Sequence, residues 1–326
     1  MTTVSNFLQL FDAYLRENAF RQAPAALYEP ANYLMALGGK RLRPLLTMLG
    51  YYQFRDDVGQ SLPAAMAVEL FHNFSLMHDD IMDQAPTRRG KATVHTAYGL
   101  NAAILSGDVM LVYAYDFLMR TQRSEALPDM ARTLNRVAIQ VCEGQQYDVD
   151  FETASQVGIA DYLHMIELKT AALLAGSLEL GAMAAGAPQE DQYHLREFGR
   201  LTGLAFQLQD DYLDVFGNPE TFGKRPGGDI VQNKKTFLYL KALEQATPSQ
   251  HQELARWYQT HDENSAAEKV IAVTRLMEQL NIPEYTRQLR DEHQREALLH
   301  IEQLAAREER KELLVNYAYS LLDRAV

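Results

Sequence analysis

The chain has 326 residues, 47% of them apolar, with 43 acidic against 31 basic residues and a formal charge of −12. That is enough apolar material for a large core. The negative balance excludes broad nucleic-acid binding, which needs a basic face to displace counterions, and electrostatic attachment to anionic lipid. Cys142 is the only cysteine, so neither an internal disulfide nor a cysteine-rich zinc site can form.

Helical periodicity begins at once, in 4–19. The stretch MTTVSNFLQLFDAYLREN carries acids and no long apolar segment, so it is not expected to be a signal peptide. An apolar segment then leads into 38-GGKRLRPLL-46. Gly38 and Gly39 permit positive φ or close backbone approach. Lys40, Arg41 and Arg43 follow at the start of another helix, whose N-terminal amides favour anions; a solvated basic turn is the plain alternative. Apolar residues at i, i+3, i+4 and i+7 predict further helices at 61–84, 98–122, 125–149, 159–186, 189–216, 230–246, 249–260, 264–280, 286–302 and 306–324. Alternating β-branched runs are scarce, so sheet content is expected to be near zero. The 159–186 segment is apolar on most faces but carries Glu167, Lys169 and Glu179, which predicts a helix buried in a bundle. No run is expected to reach the roughly 20 apolar residues that span a bilayer. With no linker, low-complexity tract or fixed-period repeat, the expectation is one large all-α helical bundle over 1–326, soluble and cytoplasmic.

Two acidic clusters stand out. In 64-AAMAVELFHNFSLMHDDIMD-83, Asp79 and Asp83 lie one turn apart with Asp80 beside them, and His72 lies on the same stripe. In 203-GLAFQLQDDYLDVFG-217, Gln207, Asp210, Asp211 and Asp214 share one stripe. Each cluster ends an apolar helix, where acids repel one another and oppose the dipole. Each is followed by a basic loop: Arg88 and Arg89 in the first case, Lys224, Arg225, Lys234 and Lys235 in the second. The repetition predicts two facing helices that present carboxylates across a cleft. Such hard oxygen ligands suit Mg²⁺, whose coordination is completed by water and substrate phosphates. Arginine forks match phosphate oxygens. Lys169 and Thr170 sit in a very apolar helix, where a lysine either faces an anion-filled cavity or snorkels to the surface. Glu69 and His72 also form an E-x-x-H, the spacing of di-iron bundles, but no second copy is present.

Taken in order, GGKRLRP, LMHDDIMDQAPTRRGKATVH, GLNAAILSGD, EGQQYD, ELKTAALL, FQLQDDYLDVFG and KRPGGDIVQNKKT span about residues 33–240. In this the sequence resembles the trans-polyprenyl diphosphate synthases of the farnesyl/geranylgeranyl type, with peripheral helices over about 245–326. The resemblance implies the isoprenoid synthase type I fold, helices packed around a deep apolar cavity, as a homodimer. It implies head-to-tail condensation of isopentenyl diphosphate with a C5–C15 allylic diphosphate, assisted by Mg²⁺, three ions by resemblance. Lys40, Arg43, His72 and Arg89 would hold isopentenyl diphosphate. Arg88, Lys169, Lys224 and Lys234 would hold the allylic diphosphate. Asp79, Asp83 and Asp210 would be the main Mg²⁺ ligands, with Asp80, Asp211 and Asp214 nearby. Thr170 and Gln207 would face the developing cation. The first motif is the short DDxxD form.

Phe74 lies five residues before Asp79, about 7.5 Å along a helix axis. The resemblance makes it a gate on product length, with small Ser75 beside it and Phe71 as a deeper floor. A C20 product is expected, with C15 as the alternative. A class-I terpene cyclase would not need the isopentenyl anchors, and a non-catalytic partner subunit would be expected to have lost motif aspartates.

Overall fold

The computed structural model describes residues 3–218, 227–260 and 265–322. In chain order the helices are α1 Val4–Glu17, α2 Ala25–Ala36, α3 Leu42–Tyr52, α4 Leu62–Met82, α5 Val94–Tyr98, α6 Leu100–Met119, α7 Leu127–Thr153, α8 Ile159–Ile166, α9 Ala172–Ala185, α10 Gln189–Phe216, α11 Gly228–Val231, α12 Phe237–Gln245, α13 Pro248–Tyr258, α14 Ala266–Gln279, α15 Ile282–Glu302 and α16 Glu308–Leu322. The fold is all-α, as the periodicity predicts. Local chemistry sets the boundaries. Thr3 with Asn6 and Thr247 with Gln250 form capping boxes that satisfy the first amides of α1 and α13.

The predicted helices omit the extents of α2 and α3. Pro30 lies inside α2 and interrupts the pattern. From Leu42 to Tyr51, α3 is buried at every position but Arg43, so it has no polar face to give a period. The predicted 230–246 helix is two pieces, because Asn233 takes a left-handed φ of 58° between α11 and α12. The predicted 159–186 helix carries a π-helical turn at Glu167–Ala171 between α8 and α9. Among the described residues the strands are Thr87–Arg88 and Lys91–Ala92, paired antiparallel.

One expectation is corrected. Leu100–Met119 and Ile159–Ala185 are both long and apolar enough to cross a membrane by length and composition. The second is 83% buried inside the fold, as a core helix is, whereas the first is 39% buried.

The described chain groups into two compact units. One comprises residues 1–139, 173–196 and 303–314, the other 140–172, 197–302 and 315–326. The first has Phe11, Met48, Leu49, Met66 and Phe71 in its core. Arg310 serves this unit, donating to the Tyr52 carbonyl at 2.9 Å and to Asp56 at 2.6 Å. The second is built around Leu208, Leu238, Leu254, Val273 and Met277 from α10, α12, α13 and α14.

Candidate active site

In the first unit, α4 ends at Asp83, whose amide donates to the Asp79 carbonyl at 2.8 Å. The three aspartates of this motif are not equivalent. Asp80 is 2% exposed, and Arg88 grips both its oxygens, through Nε at 2.8 Å and Nη2 at 2.7 Å. Asp79 is half-buried and Asp83 exposed. Arg88 is brought to Asp80 by the small hairpin, whose two-residue turn is Arg89–Gly90 with φ of 52° and 73°. Positive φ at both positions is the type I′ geometry that matches strand twist. At Arg89 it is strained, and strained residues gather at functional sites. Arg41 at φ 47° and Gln84 at φ 50° are two more in this region of the chain.

The four residues predicted to hold isopentenyl diphosphate gather around the Gly38–Lys40 turn and the middle of α4. Arg89 donates to the Gly38 carbonyl. A Cβ at Gly39 would meet the Arg89 guanidinium at 2.7 Å, and the φ of 130° at Gly39 is one that side chains rarely adopt, so glycine suits this turn. Arg43 Nη1 lies 3.1 Å from His72 Nε2. Arginine can only donate, so His72 accepts and its proton is on Nδ1. Burial first, then the charges of Arg43, Arg89, Arg88 and Arg41, hold the His72 pKa well below the usual histidine value. A neutral imidazole therefore stands in a field of arginines. Glu69 pairs with Arg41 at 2.6 Å, so neither member of the E-x-x-H is arranged as an iron ligand. Phe74 lies between Phe71 and His78, with ring centroids 5.8 and 4.8 Å away. The Ser75 hydroxyl donates to the His72 carbonyl.

The second unit holds the other aspartates. Thr170 donates to Gln207 Oε1 at 3.0 Å, Gln207 Nε2 donates to Asp211 Oδ1 at 2.9 Å, and the Tyr162 hydroxyl donates to Asp211 Oδ2. Asp211 is 4% exposed. Burial, and then the negative charge of Asp229, push its pKa up to about 8. Asp214 accepts the Asp229 amide at 2.9 Å, and Asp229 lies 3.7 Å from Lys234 Nζ. Lys169 pairs with Asp148. The π turn contains both Lys169 and Thr170. It packs against α7 at Gly144, where a Cβ would meet the Lys169 backbone nitrogen at 2.3 Å. Lys235 is engaged elsewhere: its ammonium donates to Phe151 O and to Ala154 O at the end of α7, a cationic helix cap. Lys224 lies outside the described residues.

Asp148, Tyr162 and Asp229 escaped the sequence reading. Asp148 ends the quoted block EGQQYD and Asp229 lies within KRPGGDIVQNKKT, which was the available signal; Tyr162 had none. Among the described residues, no three His, Cys, Asp or Glu side chains form a preformed metal cage. The donor chemistry nonetheless fits Mg²⁺, which takes one or two carboxylates and leaves its other positions to water and phosphate.

Two helix ends are thus rich in carboxylates, each accompanied by lysines or arginines, the donor types that suit a divalent cation and phosphate oxygens. The polyprenyl synthetase family profile matches residues 24–277, and the chain belongs to that family. It is a prenyltransferase with the isoprenoid synthase type I fold. It is 41% identical over 238 residues to a short chain isoprenyl diphosphate synthase of Methanocaldococcus jannaschii, covering 73% of this chain and 72% of that one. It is 40% identical over 222 residues to a geranylgeranyl diphosphate synthase of Methanosarcina mazei, covering 68% of each. A crystal structure of a geranylgeranyl pyrophosphate synthase superposes with a TM-score of 0.95 at 42% identity over 100% of both chains.

Proposed function

We propose that the chain condenses isopentenyl diphosphate head-to-tail with a C5–C15 allylic diphosphate, giving geranylgeranyl (C20) diphosphate and pyrophosphate. The observation that carries this reading is the basic cluster of Arg43, His72 and Arg89 at the Gly38 turn. It supplies donors for a second diphosphate, which a synthase needs and a cyclase does not. Retention of every motif aspartate speaks against a non-catalytic partner subunit.

Asp79, Asp83, Asp210 and Asp214 would hold Mg²⁺, which when bound neutralises charge on the leaving diphosphate. Asp80 and Asp211 have other work, since Arg88 in one case and Tyr162 with Gln207 in the other occupy their oxygens. Arg88, Lys169, Lys234 and Lys224 donate to the allylic diphosphate, and Lys40, Arg43, His72 and Arg89 to isopentenyl diphosphate. The allylic C–O bond breaks and its electrons leave with pyrophosphate. The oxygens of Thr170 and Gln207 face the carbocation and stabilise it. The alkene of isopentenyl diphosphate attacks it, forming the new C–C bond, and the proton then lost passes to pyrophosphate. A dry apolar cavity protects the cation from water. The whole chain, 1–326, acts as one domain in this reading.

Phe74, flanked by Phe71 and His78 with Ser75 beside it, is the proposed stop for the growing chain. The geranylgeranyl synthases among its relatives support C20, and C15 is the second reading. We also propose a cytoplasmic homodimer. Leu105, Val112 and Met119 of α6 are 58%, 66% and 66% exposed and recur every seven residues along one stripe, a surface suited to a second copy. Asp108 and Asp116 on the same helix are exposed too, which disfavours lipid. Sedimentation should give a dimer for the wild type and a monomer for Val112→Glu; a monomeric wild type would remove the proposal. The function is tested by incubating the protein with Mg²⁺, labelled isopentenyl diphosphate and C5, C10 or C15 primers, then sizing the dephosphorylated products. A C20 alcohol is expected. No elongation from any primer overturns the reading.

A further inference from the structure

Lys269, on α14, lies outside every motif described so far, yet it is 2% exposed. A lysine ammonium is buried only at considerable cost unless its donors are used. Among the described residues its hydrogen-bond partners are three oxygens, none of them a carboxylate. Nζ donates to the side-chain oxygen of Asn233, to Thr260 O at 3.2 Å and, at the long limit, to Val231 O at 3.5 Å. It also stands 5.5 Å from the centre of the Tyr258 ring, which stacks on Tyr239 at 3.7 Å.

What these oxygens belong to gives Lys269 its meaning. Val231 is the last residue of α11, the short helix that carries Asp229. Asn233 is the left-handed residue that turns the chain between Asp229 and Lys234. Thr260 follows α13. On the other side of the same turn, the Asp229 amide donates to Asp214 Oδ2, the Lys234 amide donates to the Asp229 carbonyl at 2.9 Å, and Lys234 Nζ faces Asp229. The neighbouring Val270 side chain sits where a Cβ on Gly227 would be, 2.6 Å away. Two adjacent residues of α14, Lys269 and Val270, therefore touch residues 227–233 at both ends. Burial lowers the Lys269 pKa, as expected for an ammonium held by neutral dipoles.

We infer that Lys269 is a positioning residue for diphosphate binding: it clamps the Asn233 turn so that Asp214, Asp229 and Lys234 keep a fixed geometry. The clamp rests on the proposed function for its substrate, the allylic diphosphate, but not for its mechanics.

The test uses the full chain, with Lys269→Met to remove the donors at similar volume and Lys269→Arg to restore them. Hydrogen exchange on the substrate-free protein reads the clamp directly. In Lys269→Met the amides of 228–236 should exchange about tenfold faster, the worth of a charged hydrogen bond, with those of α4 unchanged. In steady-state assays the KM for the allylic diphosphate should rise about tenfold, while that for isopentenyl diphosphate stays within about twofold. Lys269→Arg should recover most of both. Should Lys269→Met fail to fold, Asn233→Ala, which removes one acceptor, should shift both readouts the same way by about threefold. Unchanged exchange at 228–236, or equal rises in both KM values, overturns the inference. A wild type without prenyl transfer overturns the proposed function instead, and exchange still decides whether Lys269 clamps the turn.

Discussion

The two aspartate motifs have the same spacing but differ in how they are held. In Asp79-Asp80-x-x-Asp83 and Asp210-Asp211-x-x-Asp214 the second aspartate is the buried one, 2% exposed in one case and 4% in the other. The first unit compensates Asp80 with a charged fork from Arg88. The second surrounds Asp211 with neutral donors, Tyr162 and Gln207, and there burial raises the pKa. The difference teaches that the same spacing can leave its buried aspartate engaged by protein donors of different charge. In each pair one carboxylate belongs to the protein and holds its neighbours in place, Arg88 in one unit and the Thr170–Gln207 relay in the other.

The comparison breaks most visibly at the other members of the motifs. Asp79→Ala and Asp210→Ala should each lower turnover by about a thousandfold or more, with the far-ultraviolet dichroism of the wild type. Near-normal turnover in either would remove that aspartate from the metal set. The buried members sharpen the contrast through stability. Arg88→Ala strands the Asp80 charge and should cost about 3 kcal/mol in urea unfolding. Asp211→Asn retains an acceptor for Tyr162, and the Gln207 amide can turn to meet the new NH₂, so its cost should stay within about 1 kcal/mol. Equal losses in the two variants would erase the distinction between charged and neutral compensation. Beside the first motif alone, Phe74→Ala should shift the product beyond C20 on chromatographic sizing, and an unchanged distribution would move the stop elsewhere.

The spacing of the motifs was legible because i, i+3, i+4 and i+7 are local facts of a helix. Which aspartate is buried was not, since its partner arrives from elsewhere in the chain: Arg88 eight residues on, Tyr162 forty-nine residues back. The residues of the basic cluster are visible in the sequence, but the neutral imidazole that accepts from Arg43 is not, being a property of the assembled field. The π turn at Glu167–Ala171 leaves no trace in hydrophobic periodicity, because one widened turn does not break an almost uniformly apolar run. The left-handed residues Arg41, Arg89 and Asn233 were equally hidden, for none is glycine and surrounding contacts impose their φ. Helix α3 was hidden by being buried almost all round.

The smallest predicted effect separates two adjacent lysines that a basic-loop reading treats alike. Lys234 is half-exposed and faces Asp229, whereas Lys235 turns away to the carbonyls at the end of α7. Removing a cationic cap from a helix C-terminus costs about 1 kcal/mol, so Lys235→Met should lower Tm by about 2 °C and leave the allylic KM unchanged. Lys234→Met should do the reverse, raising that KM with Tm unmoved. The pair needs only calorimetry and initial rates. If Lys235→Met raised the KM as much as Lys234→Met, the division of labour between phosphate holder and helix cap would be wrong, and both lysines would belong to the diphosphate site.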